Sequence, residues 1–222
     1  MTNNDMVLIV AVRYLNSLFS NSLHNFCVKF DQNLECPRCD RIAKTIYLHC
    51  QPQRWCQVVY QLAHEVCHWA IPIDVIKELR WFEETLCELC SLYVLRAMLT
   101  IWRNENIDFK TDDGMSYAIC FVEYADEQAS EVQAFILDDA NLASLQVDEY
   151  QREKNTYVAD HLLSIFETHS ELWNAVPKLC DIRNFTSFHD AIKEWIFISP
   201  PECKQGLREV ENVLFNILGV CS

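Results

Sequence analysis

The stretch QVVYQLAHEVCHWA, residues 57–70, decides the fold of this chain, because its centre has the spacing of a metal-binding helix. His64 and His68 are four residues apart, so on an α-helix their imidazoles project from one face about one turn apart and can reach the same metal ion. Glu65 follows the first of them directly. The pattern H-E-x-x-H therefore predicts a zinc site on a helix.

A third metal ligand is expected on a second helix that folds back onto the first. The segment RWFEETLCE, residues 80–88, carries three carboxylates at a suitable separation from the histidines. Glu83 and Glu84 are adjacent and project about 100° apart, so they cannot both face the histidine pair. Glu84 and Glu88 share one face of this helix, and the spacing alone leaves all three carboxylates as candidates.

Residues 81–88, WFEETLCE, resemble the W-L-N-E-G-F-A-E segment that carries the third zinc ligand in the gluzincin metallopeptidases, the group of thermolysin and the zinc aminopeptidases. The resemblance implies that Glu84 binds zinc together with His64 and His68. It also implies that Glu88 orients one of the zinc-bound imidazoles, in the second shell of the site. No G-x-M-E-N motif precedes the helix, so an aminopeptidase specificity is not implied.

The resemblance also implies a hydrolytic mechanism. Two histidines and one glutamate leave a coordination position of zinc open for water, as in catalytic sites. Zinc lowers the pKa of that water, and Glu65 is expected to act as general base and to pass the proton to the leaving amine. The family uses a Tyr or a His to stabilise the oxyanion, and Tyr157 and His161, on one face of a downstream helix, are favoured for this role. The alternatives left open are Tyr150, His169 and His189.

Composition and charge limit the classes of molecule that this protein is expected to bind. A formal net charge of −14 over 222 residues argues against nucleic acid or an anionic membrane, because either would be repelled. The gluzincin resemblance implies a peptide or protein substrate as the partner. The apolar run at residues 6–12 is too short to span a bilayer and is expected to belong to an amphipathic helix. The oligomeric state stays open.

The twelve Cys indicate a compartment rather than a disulfide framework. The chain is longer than disulfide-rich secreted domains, and its Cys fall largely on apolar helical positions, as small buried side chains do. A reducing cytoplasm is therefore the expected location. The motif Cys36-Pro37-Arg38-Cys39 has three possible interpretations: half of a second, structural zinc site with Cys27 and Cys50 as partners, a redox pair, or the reduced tip of a hairpin.

The predicted fold class is α+β and mostly α, with a zincin-like core followed by a helical C-terminal lobe. Short β-like runs at residues 26–30 and 44–48 predict a small sheet, and residues 46–50 are expected to form the edge strand to which an extended peptide adds. An Asn- and Asp-rich break separates a lobe of residues 1–103 from a lobe of residues 104–222. Helices are predicted in the second lobe at residues 117–137, 149–169, 172–180, 188–198 and 202–218.

A second class of function stays open beside the zinc metallopeptidase. The chain could be a catalytically inactive scaffold protein that keeps the zincin fold and its metal and acts through an acidic helical lobe. Glu65 favours the enzyme, because a structural zinc site does not require a general base beside its ligands.

Overall fold

A computed structural model describes residues 2–20, 23, 25–107, 109–112, 114–130, 133–217 and 219. In these ranges the chain is mostly helical and contains one small three-stranded sheet, which confirms the predicted α+β, mostly α class. The α-helices are α1 (Asn3–Leu18), α2 (Trp55–Ala70), α3 (Arg80–Asn104), α4 (Tyr117–Ser130), α5 (Asp139–Val147), α6 (Arg152–Thr168), α7 (Phe188–Ile198) and α8 (Lys204–Asn212). The strands are β1 (Cys27–Phe30), β2 (Arg38–Asp40) and β3 (Thr45–Leu48).

The central strand of the sheet is β3, which pairs in parallel with β1 and antiparallel with β2. The prediction that residues 46–50 form an edge strand is wrong, because Thr45–Leu48 has a hydrogen-bonded neighbour on each side. The backbone N–H groups of His49 and Cys50 donate to Gln61 Oε1 at 3.0 and 3.2 Å. A peptide therefore cannot add to β3, and among the described strands β1 and β2 form the edges.

The chain divides into two compact units, each defined by the contacts among its own residues. The first unit consists of residues 1–69 and 90–130. Its core contains an aromatic cluster around Trp55, whose ring centroid lies 4.5 Å from that of Tyr117 and 6.3 Å from that of Trp102. Trp55 Nε1 also donates to Asn4 Oδ1 at 2.8 Å. This bond ties the first turn of α1 to the first turn of α2.

The second unit consists of residues 70–89 and 131–222. Its core is also aromatic: the rings of Phe82 and Trp195 meet edge to face with centroids 5.6 Å apart, and Trp195 Nε1 donates to Ala175 O at 2.8 Å. Each unit is assembled from two separate stretches of chain, and the predicted lobes of residues 1–103 and 104–222 stay a prediction.

The helix predicted at residues 117–137 is shorter in the structure. α4 ends at Ser130, residues 131–132 lie outside the described residues, and a further helix, α5, follows. Asp138 is the N-cap of α5: its side chain accepts a hydrogen bond from Asn141 N at 2.8 Å, and its ψ of 175° is extended. A capping residue in this conformation cannot continue an earlier helix, so the aspartates begin a helix where the sequence had indicated only a break.

Three other predicted helices also have different bounds. Residues 172–180 form parts of two 3₁₀ segments, Ser170–Asn174 and Val176–Asp181, and Pro177 stands at the start of the second, where its missing N–H is tolerated. The helix predicted at residues 149–169 is α6. The one predicted at 202–218 is α8 followed by a π-helical turn, with residue 218 outside the described part. α7 spans its predicted residues.

The stretch Lys77–Asn104 is long and apolar enough to cross a membrane by length and composition. However, 67% of its most apolar 18-residue window is buried inside the protein, which is also what a core helix shows.

Replacing Trp195 by Ala should lower the free energy of unfolding by about 3–5 kcal/mol, because the side chain is fully buried and its loss leaves a cavity. Phe197, on the same helix and 74% exposed, is the matched control, and its replacement by Ala should change the free energy by less than about 0.5 kcal/mol. Urea unfolding followed by Trp fluorescence and circular dichroism measures both. Similar losses in the two variants would contradict this account of the core.

Candidate metal centre

Helix α2 carries the histidine pair on one face. The ring centroids of His64 and His68 are 5.1 Å apart and the ring planes meet at 64°. Both imidazoles are half-buried, whereas Glu65 is only 4% exposed. The apolar residues of α2 fix its rotation, because they are buried and hold the opposite part of the helix against the protein. They are Val58, Val59, Leu62, Ala63 and Val66.

The edge strand β2 lies beside the same helix within the first unit. The turn after β2 carries Arg41, whose Nη2 donates to the backbone oxygen of His68 at 2.6 Å. Such a bond satisfies a carbonyl of the last helical turn, which has no partner within the helix. Burial raises the pKa of the neighbouring Cys39 thiol to about 11, while the charge of Arg41 opposes this shift, and the charges of Glu65 and His68 also act on it. The thiol is therefore protonated at neutral pH.

The motif at residues 36–39 is not a hairpin tip, because Cys39 belongs to β2 and the turn to β3 follows it. Nor can Cys27 join Cys39 in a second zinc site. Cys27 pairs with Thr45 and Cys39 with Ile46, and successive residues of a strand point to opposite faces of the sheet. Cys27 is thereby excluded as a partner, and the redox interpretation stays untested.

In the second unit, the first part of α3 faces the start of α6. Glu84 is half-buried and Glu88 is 5% exposed. Thr85 Oγ1 lies 3.4 Å from Asn155 Oδ1, and Arg152 Nε lies 3.7 Å from Glu88 Oε1. Sequence analysis missed Arg152 and Asn155. Their spacing of three residues matches that of Thr85 and Glu88, but a single sequence does not show which helices pair.

Tyr157 and His161 lie on another face of α6. Their rings are 4.4 Å apart, and His161 Nδ1 is 2.9 Å from the backbone oxygen of Tyr157. Tyr157 also packs on Phe135, with ring centroids 5.0 Å apart. Because Tyr157 follows Asn155 by about 200° around the helix, it points away from the side that meets α3. The assignment of this pair to the oxyanion stays a prediction.

The predicted site residues are thus divided between the two units, and their roles stay predictions. The first unit contains His64, Glu65 and His68, and the second contains Glu84, Glu88, Tyr157 and His161.

Comparison of the chain with protein-family models, curated proteins and solved structures found no match. The resemblance to the gluzincins therefore depends on the residues quoted above.

Alkylation should separate the two thiols of the motif. At pH 8, iodoacetamide should modify the exposed Cys36 well before Cys39, because the thiolate is the reactive form and burial keeps Cys39 protonated. Between pH 8 and pH 10 the rate at Cys39 should rise about tenfold per pH unit, since the thiolate fraction does so below the pKa. Peptide mass spectrometry at short reaction times measures both rates. Equal rates at pH 8 would contradict the half-buried position and the raised pKa of Cys39.

Proposed function

We propose that this protein is a zinc metallopeptidase with a gluzincin-like, zincin-type core. His64 and His68 would bind the metal, Glu84 would be the third ligand, and Glu65 would act as general base. The observation that carries the proposal is the geometry of α2, with two half-buried imidazoles on one face, 5.1 Å apart, and a buried carboxylate next to them in the chain. The gluzincin-like segment at residues 81–88 supports the choice of the third ligand.

The residues present fit a zinc ion. Neutral imidazoles and one anionic ligand are the donors that catalytic zinc sites combine, and three protein ligands leave one position for water or substrate. Bound zinc would supply a water of lowered pKa and polarise the carbonyl of the scissile bond. The half-buried state of the imidazoles leaves them accessible from one side.

Glu65 would move the proton in this reaction. Its carboxylate would accept a proton from the attacking water and donate it to the leaving amine, which is general acid–base catalysis by one group. An extended peptide would add its backbone to β2, since this is an edge strand and Arg41 ties its turn to the last turn of α2. The substrate class is therefore an extended peptide segment. A cytoplasmic location stays part of the proposal.

Cys87 competes with Glu84 for the third ligand position. It follows Glu84 by three residues on α3, so the two side chains share one face of that helix. His64, His68 and Cys87 would then be the three protein ligands of the zinc. A thiolate is a softer donor than a carboxylate and also suits zinc.

Protein purified without added metal should contain about one zinc per chain and cleave members of a diverse peptide library. Glu65→Gln should retain the zinc and lose at least about 100-fold in turnover, because the general base is removed while the ligands remain. Metal analysis and a fluorogenic peptide assay measure the two quantities. Retained activity in this variant would overturn the mechanism. Bound zinc with no cleavage of any peptide by the wild type would favour the inactive scaffold.

Two substitutions decide the third ligand. If Glu84 binds the metal, Glu84→Ala should weaken zinc binding strongly and Cys87→Ser should change it little, whereas the reverse result would assign the position to Cys87. Cys90→Ser is the matched control, because Cys90 is equally buried one turn further along the same helix. Competition with a chromophoric chelator measures the affinities, and in the cobalt-substituted protein a thiolate ligand adds a charge-transfer band. If neither Glu84→Ala nor Cys87→Ser affects binding, this set of ligands is wrong.

A further inference from the structure

A groove of about 540 Å³ lies between α1 and β1, within the first unit. The helix lines it with Leu8, Ile9 and Val12. The other wall includes Phe26 and Val28, at the start of the strand. Both walls of the groove are therefore largely apolar.

The helical wall exists because α1 carries more apolar residues than it buries. The core side of the helix consists of four buried side chains, which are Val7, Val10, Ala11 and Leu15. Leu8 and Val12 are only half-buried, and Ile9 is 43% exposed. Leu8 and Ile9 precede Val12 by four and three residues, so the three side chains adjoin on one side of the helix. This second apolar strip is open to water, and contiguous exposed apolar surface is typical of interaction sites.

The opposite wall belongs to a sheet edge. Among the described strands, β1 pairs with β3 alone. Cys27 N donates to Lys44 O at 2.8 Å, and Asp31 N donates to Leu48 O at 2.9 Å. Because the backbone groups of successive strand residues point to opposite sides, Val28 and Phe30 direct their N–H and C=O groups away from β3. An edge of this kind is a template for a further strand.

The groove and the open edge lie together, so one added strand would use both. Val28 is the register partner of Ile46, which is fully buried, so its side chain lies on the inner face of the sheet. A strand that pairs with β1 places every second side chain on this face, next to the apolar strip of α1. Its other side chains lie on the outer face, beside the exposed Lys29.

The charges at this edge favour an acidic partner strand. Lys29 Nζ lies 5.9 Å from the centre of the Tyr47 ring on the outer face, where a carboxylate on the neighbouring strand can pair with it. Arg13 also lines the groove, and its ion pair with Glu105 is exposed and therefore weak enough to be exchanged. A second copy of this chain is a poorer occupant, because each copy has a formal net charge of −14.

We propose that the groove between α1 and β1 is a docking site for an extended peptide segment of a partner protein. The segment adds to β1 by backbone hydrogen bonds, places alternate apolar side chains in the groove and presents a carboxylate side chain to Lys29. β1 and β2 are opposite edges of the sheet, so this site is distinct from the edge assigned to the substrate. The inference does not depend on a bound metal.

The test is the binding of a fluorescein-labelled peptide to the full chain, measured by fluorescence polarisation. The probe is capped at both ends and alternates Val with Thr, with one Thr replaced by Glu. Val28→Pro should weaken its binding about tenfold, because proline removes the N–H at the open edge. Proline is tolerated on an edge strand where this N–H faces solvent. Val28→Thr, the matched control, keeps the N–H and the branched shape and should bind about as the wild type does.

A second pair of variants tests the groove without changing the backbone. Ile9→Asp should weaken binding about tenfold or more, because it places a charge among apolar side chains. Ile42→Asp is the matched control: Ile42 is 98% exposed in the turn between β2 and β3 and should have no effect. A probe that carries Lys in place of Glu should bind several-fold more weakly, because Lys29 would then face a like charge.

Four results would overturn the proposal. They are a wild type that does not bind the probe, equal affinities of the wild type and Ile9→Asp, equal affinities for the Glu and Lys probes, and a loss of binding in Ile42→Asp alone, which would place the peptide at the β2 edge. Sedimentation adds a fifth. A wild-type dimer that Val28→Pro converts to a monomer would assign the edge to a second copy of the chain.

Discussion

The burial of one side of α2 is the constraint on which the candidate site depends. A helix has 3.6 residues per turn, so fixing its apolar residues in the interior also fixes the direction of every other side chain. With Val58, Leu62 and Val66 buried, His64 and His68 are left half-buried on a shared face. The placement of the two imidazoles on one face of α2 is therefore a consequence of hydrophobic packing.

The small sheet is joined to α2 by hydrogen bonds at two places. Its central strand is closed on both sides, and Gln61 of α2 accepts the N–H groups that follow it. This arrangement leaves β2 as the edge beside the last turn of α2, where Arg41 occupies a helix-terminal carbonyl. The proposal that the substrate is an extended peptide depends on this edge strand, because a peptide can add to the free edge of a sheet by backbone hydrogen bonds.

The second unit shows a different use of polar residues. In its aromatic core the buried indole N–H of Trp195 donates to the backbone oxygen of Ala175. The side chain is therefore both packed and hydrogen-bonded. Where α3 meets α6, by contrast, Arg152 Nε lies 3.7 Å from Glu88 Oε1, which is too far for a good hydrogen bond.

The sequence by itself determined the elements whose signal is local. The four-residue spacing of His64 and His68 predicted that both lie on one face of α2. α7 spans its predicted residues, and Ser187 caps its start by accepting a hydrogen bond from Asp190 N. The two β-like runs were found from local sequence as well. Only the tertiary structure decided the order of the strands, which made β3 central. Only it decided that Arg152 meets Glu88, because strand order and helix pairing depend on contacts between residues far apart in the chain, and no local spacing encodes them.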